Sequence, residues 1–172
     1  MHKLSQKINR TKAATSVRTV RALSIAAIVL ATVLPLPLLA QSLWIDEASS
    51  VWFARLPSGK LLFQPCDSHP PGYYLLLKGW MVLGETEVWM RLLSLFASVL
   101  AVALTAKVAS SISGERAGAW AALLLSTFPL QVWYAAEVRM YALAQALGVA
   151  LLIPAWHLLF PAETRRGIDQ AG

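Results

Sequence analysis

Apolar and polar positions alternate along this chain in long blocks rather than at helical or strand spacing. Residues 22–40 form a run of 19 without a charge, close to the ~20 that span a bilayer as a helix. Pro35 and Pro37 fall in its last third and predict a kink there, since proline removes a backbone donor. Residues 92–108 form a second run, with Arg91 at its start and Lys107 near its end, where long side chains reach the headgroups. A short polar turn, 110–118, precedes a third run at 119–134, bent at Pro129. The polar stretch 135–139 separates it from a fourth run at 140–160, which carries Gln145 and His157.

Residues 41–89 contain no full span. Their one apolar piece, 72–84, is 13 residues long and is interrupted by Lys78, so it reads as a re-entrant or interfacial helix. Six of the aromatic residues, Trp44, Trp52, Tyr73, Tyr74, Trp80 and Trp89, lie in this region, a density expected at a membrane–water boundary. The fold expected is therefore all-α and integral to the membrane. About four transmembrane helices surround a long outer loop with short interfacial helices. Three parts follow: a loosely ordered basic arm at 1–21, a transmembrane domain at 22–160 and a polar tail at 161–172.

Composition supports this and adds an orientation. Hydrophobic residues make up 57% of the 172, charged residues 14%, which is membrane composition. The net charge of +6 would suit nucleic acid if it were spread over a soluble surface. Instead Lys3, Lys7, Arg10, Lys12, Arg18 and Arg21 cluster before the first apolar run without an acid among them, a topology signal. No nucleic-acid partner is expected; membrane lipids are. With the N-terminus inside, the cytoplasmic pieces hold ten basic and three acidic residues, the outer pieces five and six. Asp46, His69 and Glu137 then share the outer face. A cleaved signal peptide is the rival reading of the first run, but its apolar core is long and Leu38-Leu39-Ala40 is a poor cleavage pattern. Cys66 is the single cysteine, so no internal disulfide forms.

Ionisable residues at membrane depth are costly and mark function when present. Here they gather on one side. Asp46-Glu47 follows the kinked end of the first run; neighbours in sequence do not share a helix face, so one acid can face a cavity while the other bonds locally. Such a carboxylate suits a general base. In His69-Pro70-Pro71 the prolines hold the chain extended and stiff, presenting an imidazole to a phosphate oxygen or a metal. In Glu137-Val138-Arg139-Met140-Tyr141 a helix would put Glu137 and Tyr141 on one face and Arg139 on another. Arg91 and Arg139 stand at helix boundaries where a cation meets phosphate. The plain alternatives are a solvated acidic helix end, a turn histidine and snorkelling arginines. No Gly-rich nucleotide loop, Cys/His zinc spacing or Gly-x-Ser-x-Gly elbow is present, so a donor presented within the membrane fits better than a soluble nucleotide sugar.

Leu43-Trp44-Ile45-Asp46-Glu47, His69-Pro70-Pro71-Gly72-Tyr73-Tyr74, Arg91-Leu92-Leu93-Ser94 and Glu137-Val138-Arg139-Met140-Tyr141-Ala142-Leu143 occur in that order. Together they resemble the bacterial protein O-mannosyltransferase and aminoarabinose lipid A transferase superfamily, the GT-C glycosyltransferases, over about residues 44–152. The resemblance implies a bacterial plasma-membrane enzyme with its active face outside the cytoplasm. Such an enzyme takes a sugar from a polyprenyl-phosphate donor and passes it to a lipid or protein acceptor. Asp46 would be the general base, supported by Glu47. His69, Arg91 and Arg139 would bind the donor phosphate. Glu137 and Tyr141 would belong to a second outer loop completing the site. A divalent metal held by His69 with Glu137 is an optional cofactor, since metal use varies in the family. Members are several hundred residues long with about a dozen spans, so the chain is expected to be an N-terminal portion. The alternatives are a non-catalytic truncated module that pairs with another membrane protein and, last, a small transporter, which would need more polar residues at mid-membrane.

Overall fold

The computed structural model describes residues 2–63 and 69–160. Cys66, Asp67 and the tail at 161–172 lie outside them. Among the described residues the chain is helical throughout: α1 (His2–Val33), α2 (Ile45–Arg55), α3 (Ser58–Phe63), α4 (Gly72–Met81), α5 (Glu87–Ser126), α6 (Pro129–Ala135) and α7 (Tyr141–Leu159), with a 3-10 turn at Leu36–Leu38. The basic arm expected to be loose instead continues α1. This helix ends where the sequence places the break, two residues before Pro35.

The 40-residue α5 is a hairpin rather than one rod. Ser113 (φ −134°, ψ 15°) and Gly114 (φ 84°, ψ 167°) leave helical geometry, and Gly114 occupies backbone space that is open essentially to glycine alone. The chain turns back so closely that a Cβ on Gly118 would lie 2.5 Å from the Ala106 carbonyl oxygen. Further along, Gln131 in α6 donates to the Ser98 hydroxyl and carbonyl at 2.6 and 3.2 Å. The nine-residue polar turn of the sequence reading therefore shrinks to two residues, because the Ser and Ala positions around it are good enough helix formers to extend both arms. The third apolar run breaks at Thr127-Phe128, just before Pro129, the first residue of α6, since proline is tolerated in a first helical turn.

α1 packs against both arms through small residues, Ala27 and Ala31 against Val102 and Ala122, the means by which helices approach closely without a solvent-driven core. The short helices make a second layer at one end. There Val51, Phe53, Tyr74, Leu77 and Met81 form a core with Met90 and Val138. Lys78 donates to the Leu56 carbonyl at 2.6 Å, satisfying the end of α2. Trp80 and Trp89 stack 4.9 Å apart and each indole N–H bonds the other's carbonyl.

Two helices are long and apolar enough to cross a membrane, the segment Ser16–Leu38 and α5; α7 is apolar but shorter. The outward side chains of the bundle are apolar, Ile25, Val29, Phe96, Leu100, Trp120, Leu124, Leu147 and Leu151 among them. The buried charges, Glu47 and Arg91, lie inside, at the end where α2 begins. An exterior this apolar is unfavourable in water and favourable in lipid.

Candidate functional site

The site is built on one buried ion pair. Arg91, on the first turns of α5, is 1% exposed and Glu47, on the first turn of α2, is 2% exposed. They meet side by side, Nε to Oε1 at 3.1 Å and Nη2 to Oε2 at 2.7 Å. Nη1 donates to the carbonyls of Leu39, at 2.9 Å, and Gln41, and Nη2 also to that of Ser42, at 3.2 Å. A guanidinium has five N–H donors, and all five are used. The carboxylate is equally full. It accepts from the Trp44 N–H at 3.0 Å and the Val138 N–H at 2.8 Å. The Trp44 bond is half of a capping box, the third helical residue reaching back to the N-cap. One pair thus ties together the loop after α1, the start of α2, the start of α5 and the turn between α6 and α7.

This changes the part expected of Arg91. It was expected to bind the donor phosphate from a helix boundary. In the structure it has no N–H left to offer and no exposed edge. Glu47, expected beside Asp46 as support, is the buried member of the adjacent acids, and Asp46 is exposed. Their divergence follows from the helix geometry anticipated for consecutive residues.

The turn after α6 is the second part. Residues 136–140 are not helical, so the helical constraint that would have separated Glu137 from Arg139 does not apply. Arg139 Nη1 donates to the Asp46 carbonyl at 3.3 Å, and its guanidinium carbon lies 5.7 Å from the centre of the Tyr141 ring. The Glu137 carboxylate accepts from the Trp133 indole N–H at 2.5 Å, and the Ser94 hydroxyl donates to its backbone carbonyl. Burial raises the Glu137 pKa above the usual carboxylate value; the Trp133 bond opposes this, while the charge of Glu47, partly offset by Arg139, adds to it with Asp46. Burial also works against the Arg139 charge, but Tyr141 beside it, Tyr74 and Asp46 more than compensate. Asp46, Glu137, Arg139 and Tyr141 therefore form one electrostatic cluster at the end where α2 begins.

Tyr73 is 5% exposed and its hydroxyl, like Arg139 Nε, has no hydrogen-bond partner among the described residues. Burial pushes this phenol far up, against the pull of Ser94 beside it. His69 is half-buried just before α4. Among the described residues no three His, Cys, Asp or Glu side chains come together as a metal-ligand set.

Beside the cluster a narrow cleft of about 10 Å³, room for a single water, is lined by Gln41, Trp44, Trp133 and Glu137, with Glu47 and Arg91 beneath. Trp44 and Trp133 stand edge to face, 6.2 Å between centroids. Sequence reasoning gave Trp44 only as an interfacial anchor and passed over Trp133 and Gln131. The spacing of Trp133 and Glu137, four residues apart at a helix end, was the signal that would have paired them. Comparison with protein-family models, with curated proteins and with solved structures gives no match to this chain.

Proposed function

We propose that the chain is a membrane glycosyltransferase or part of one. It transfers a sugar from a polyprenyl-phosphate donor to a lipid or protein acceptor on the non-cytoplasmic face of the bacterial plasma membrane. In this reading α1, the two arms of α5 with α6, and α7 make four antiparallel passes. The short helices α2, α3 and α4 lie at the outer surface.

The observation that carries the reading is the placement of Asp46. Its backbone is held by a saturated buried pair through its neighbour Glu47, its carboxylate is exposed, and Arg139 is fixed against the same residue. A base must be held in position yet remain open to its substrate. The leaving phosphate needs a cation to receive its charge more than it needs an acid. Arg139 is the cation placed to do so, with Arg91 committed elsewhere. Asp46 takes the proton of the acceptor hydroxyl as the acceptor oxygen attacks the anomeric carbon. The bond to the phosphate oxygen breaks and the polyprenyl phosphate leaves as an anion. The motif order that resembles GT-C enzymes supports the same assignment. Transfer of radiolabelled sugar from a polyprenyl-phosphate pool, measured for this chain and its Asp46→Asn variant in donor-competent membranes, tests it: the variant is expected to lose at least ~100-fold in rate, the lower range for losing a positioned base.

A further inference from the structure

The end of the bundle opposite Asp46 carries a groove that the proposed chemistry does not use. It lies between α1 and the turn of the α5 hairpin and holds about 840 Å³, within the ~300–1,000 Å³ range of ligand sites. Val17 and Val20 make one wall apolar. Arg21 from α1 and Arg116 from the second arm of α5 bring charge to it, with Glu115 beside them. Gly114 at the turn has nothing within 4 Å of an added Cβ, so the groove is open there.

The two arginines are in different states. Arg116 is held, since its Nε and Nη2 both donate to the Ser16 hydroxyl, at 3.1 and 2.8 Å. Its Nη1 hydrogens are left for a ligand. Arg21 is exposed and makes no hydrogen bond or ion pair among the described residues. Arg18, also exposed, precedes it by three positions on the same helix face. These arginines outnumber Glu115 and leave the groove positive. Its depth is fixed too. The first membrane-length segment begins at Ser16, so the groove opens at headgroup level, and beyond it the outward side chains Ile25, Val29 and Trp120 are apolar. A guanidinium fork suits a phosphate group. A free phosphate or an acidic peptide would use the arginines and leave the valine wall and the depth unused, whereas a phospholipid uses all three.

We propose that this groove holds an anionic phospholipid of the cytoplasmic leaflet: Arg21 and Arg116 bond its phosphate, and Val17 and Val20 take the start of an acyl chain. The inference is independent of sugar transfer and takes from the reading above only the side of the membrane on which the hairpin turns.

The test incubates the full chain in detergent with mixed micelles carrying radiolabelled phosphatidylglycerol or phosphatidylcholine at equal mole fraction, and counts the lipid retained on the protein. Phosphatidylglycerol is expected to be preferred. Arg21→Gln and Arg116→Gln should each reduce that preference about fivefold, the ~1 kcal/mol of one cation at an anionic surface. Arg21→Gln removes no bond within the protein, so its loss cannot come from misfolding of the α1–α5 contact. Glu115→Gln should raise the preference, an outcome that damage to the fold would not give. Arg55→Gln, which removes the same charge from an exposed pair in the outer layer, should change nothing, and excess inorganic phosphate should displace none of the lipid. Absence of a preference, an equal loss in Arg55→Gln, or displacement by phosphate overturns the proposal.

Discussion

Glu47 and Arg91 decide most of what happens at the residue scale. Removing one member of a buried pair strands the other's charge, which costs ~3–5 kcal/mol, whereas replacing both with apolar groups of like size is often close to neutral. Arg91→Met alone is therefore expected to destabilise the protein strongly, by about that amount. Glu47→Leu with Arg91→Met should recover much of it in thermal unfolding in detergent. Arg91→Lys should not rescue, because a lysine lacks the planar fork that reaches Glu47 and three carbonyls at once. The sequence named both residues as polar groups at a helix start; it did not pair them, since 44 positions separate them and nothing local records which carboxylate an arginine will meet. The Asp46–Glu47 split was legible, because consecutive residues on a helix must diverge.

Glu137 carries the pH dependence. Its pKa is raised in the folded protein, mainly by burial. Its contribution to stability is therefore present in full below the unfolded carboxylate's pKa and is lost as pH rises through the raised folded value. Thermal stability in detergent should therefore fall as pH rises through that raised value, and Glu137→Gln, which stays neutral, should flatten this part of the stability–pH profile, as read by thermal midpoints across the range.

At the scale of elements the hairpin in α5 turns on two glycines. Gly114 sits at φ 84° with nothing within 4 Å of an added Cβ, so the cost of Gly114→Ala is backbone strain alone, ~1–3 kcal/mol. Gly118→Ala meets the Ala106 carbonyl, which cannot swing aside as the Ser110 hydroxyl can. Overpacking of this kind costs ~1–3 kcal/mol and forces the arms apart. Both losses should appear as lowered thermal midpoints, and Gly118→Ala alone should slow disulfide formation between cysteines placed at Ser98 and Gln131 in a Cys66→Ser background. The apolar runs and the proline breaks were legible in the sequence because lipid-length segments and missing backbone donors are local facts. The two-residue turn was not, because the serines and alanines at 108–118 are compatible with loop and helix alike and the packing of Gly118 decides between them. Likewise 136–140 departs from a helix because Val138 N–H is drawn to a carboxylate across the site, a long-range bond that no local pattern shows.

For the whole molecule, the charge asymmetry and the position of the cluster point the same way. The basic end of α1 meets the α5 turn, where Arg116 donates to the Ser16 hydroxyl at 3.1 and 2.8 Å. Asp46, Glu47 and Glu137 lie with α2 and the α6–α7 turn at the other end. An impermeant maleimide should label a Ser113→Cys variant from the cytoplasmic side and an Asp46→Cys variant from the opposite side, both in a Cys66→Ser background; labelling of both from one side would contradict four antiparallel passes. The measurement that bears most directly on the central claim is sugar transfer itself, by wild type and Asp46→Asn, each first verified as inserted to the same level. The predicted result is label passed from the polyprenyl-phosphate sugar to membrane acceptors by the wild type and lost in the variant. Equal transfer by both, or none by an inserted wild type, would contradict it, the second outcome leaving a non-catalytic module as the reading of the same fold.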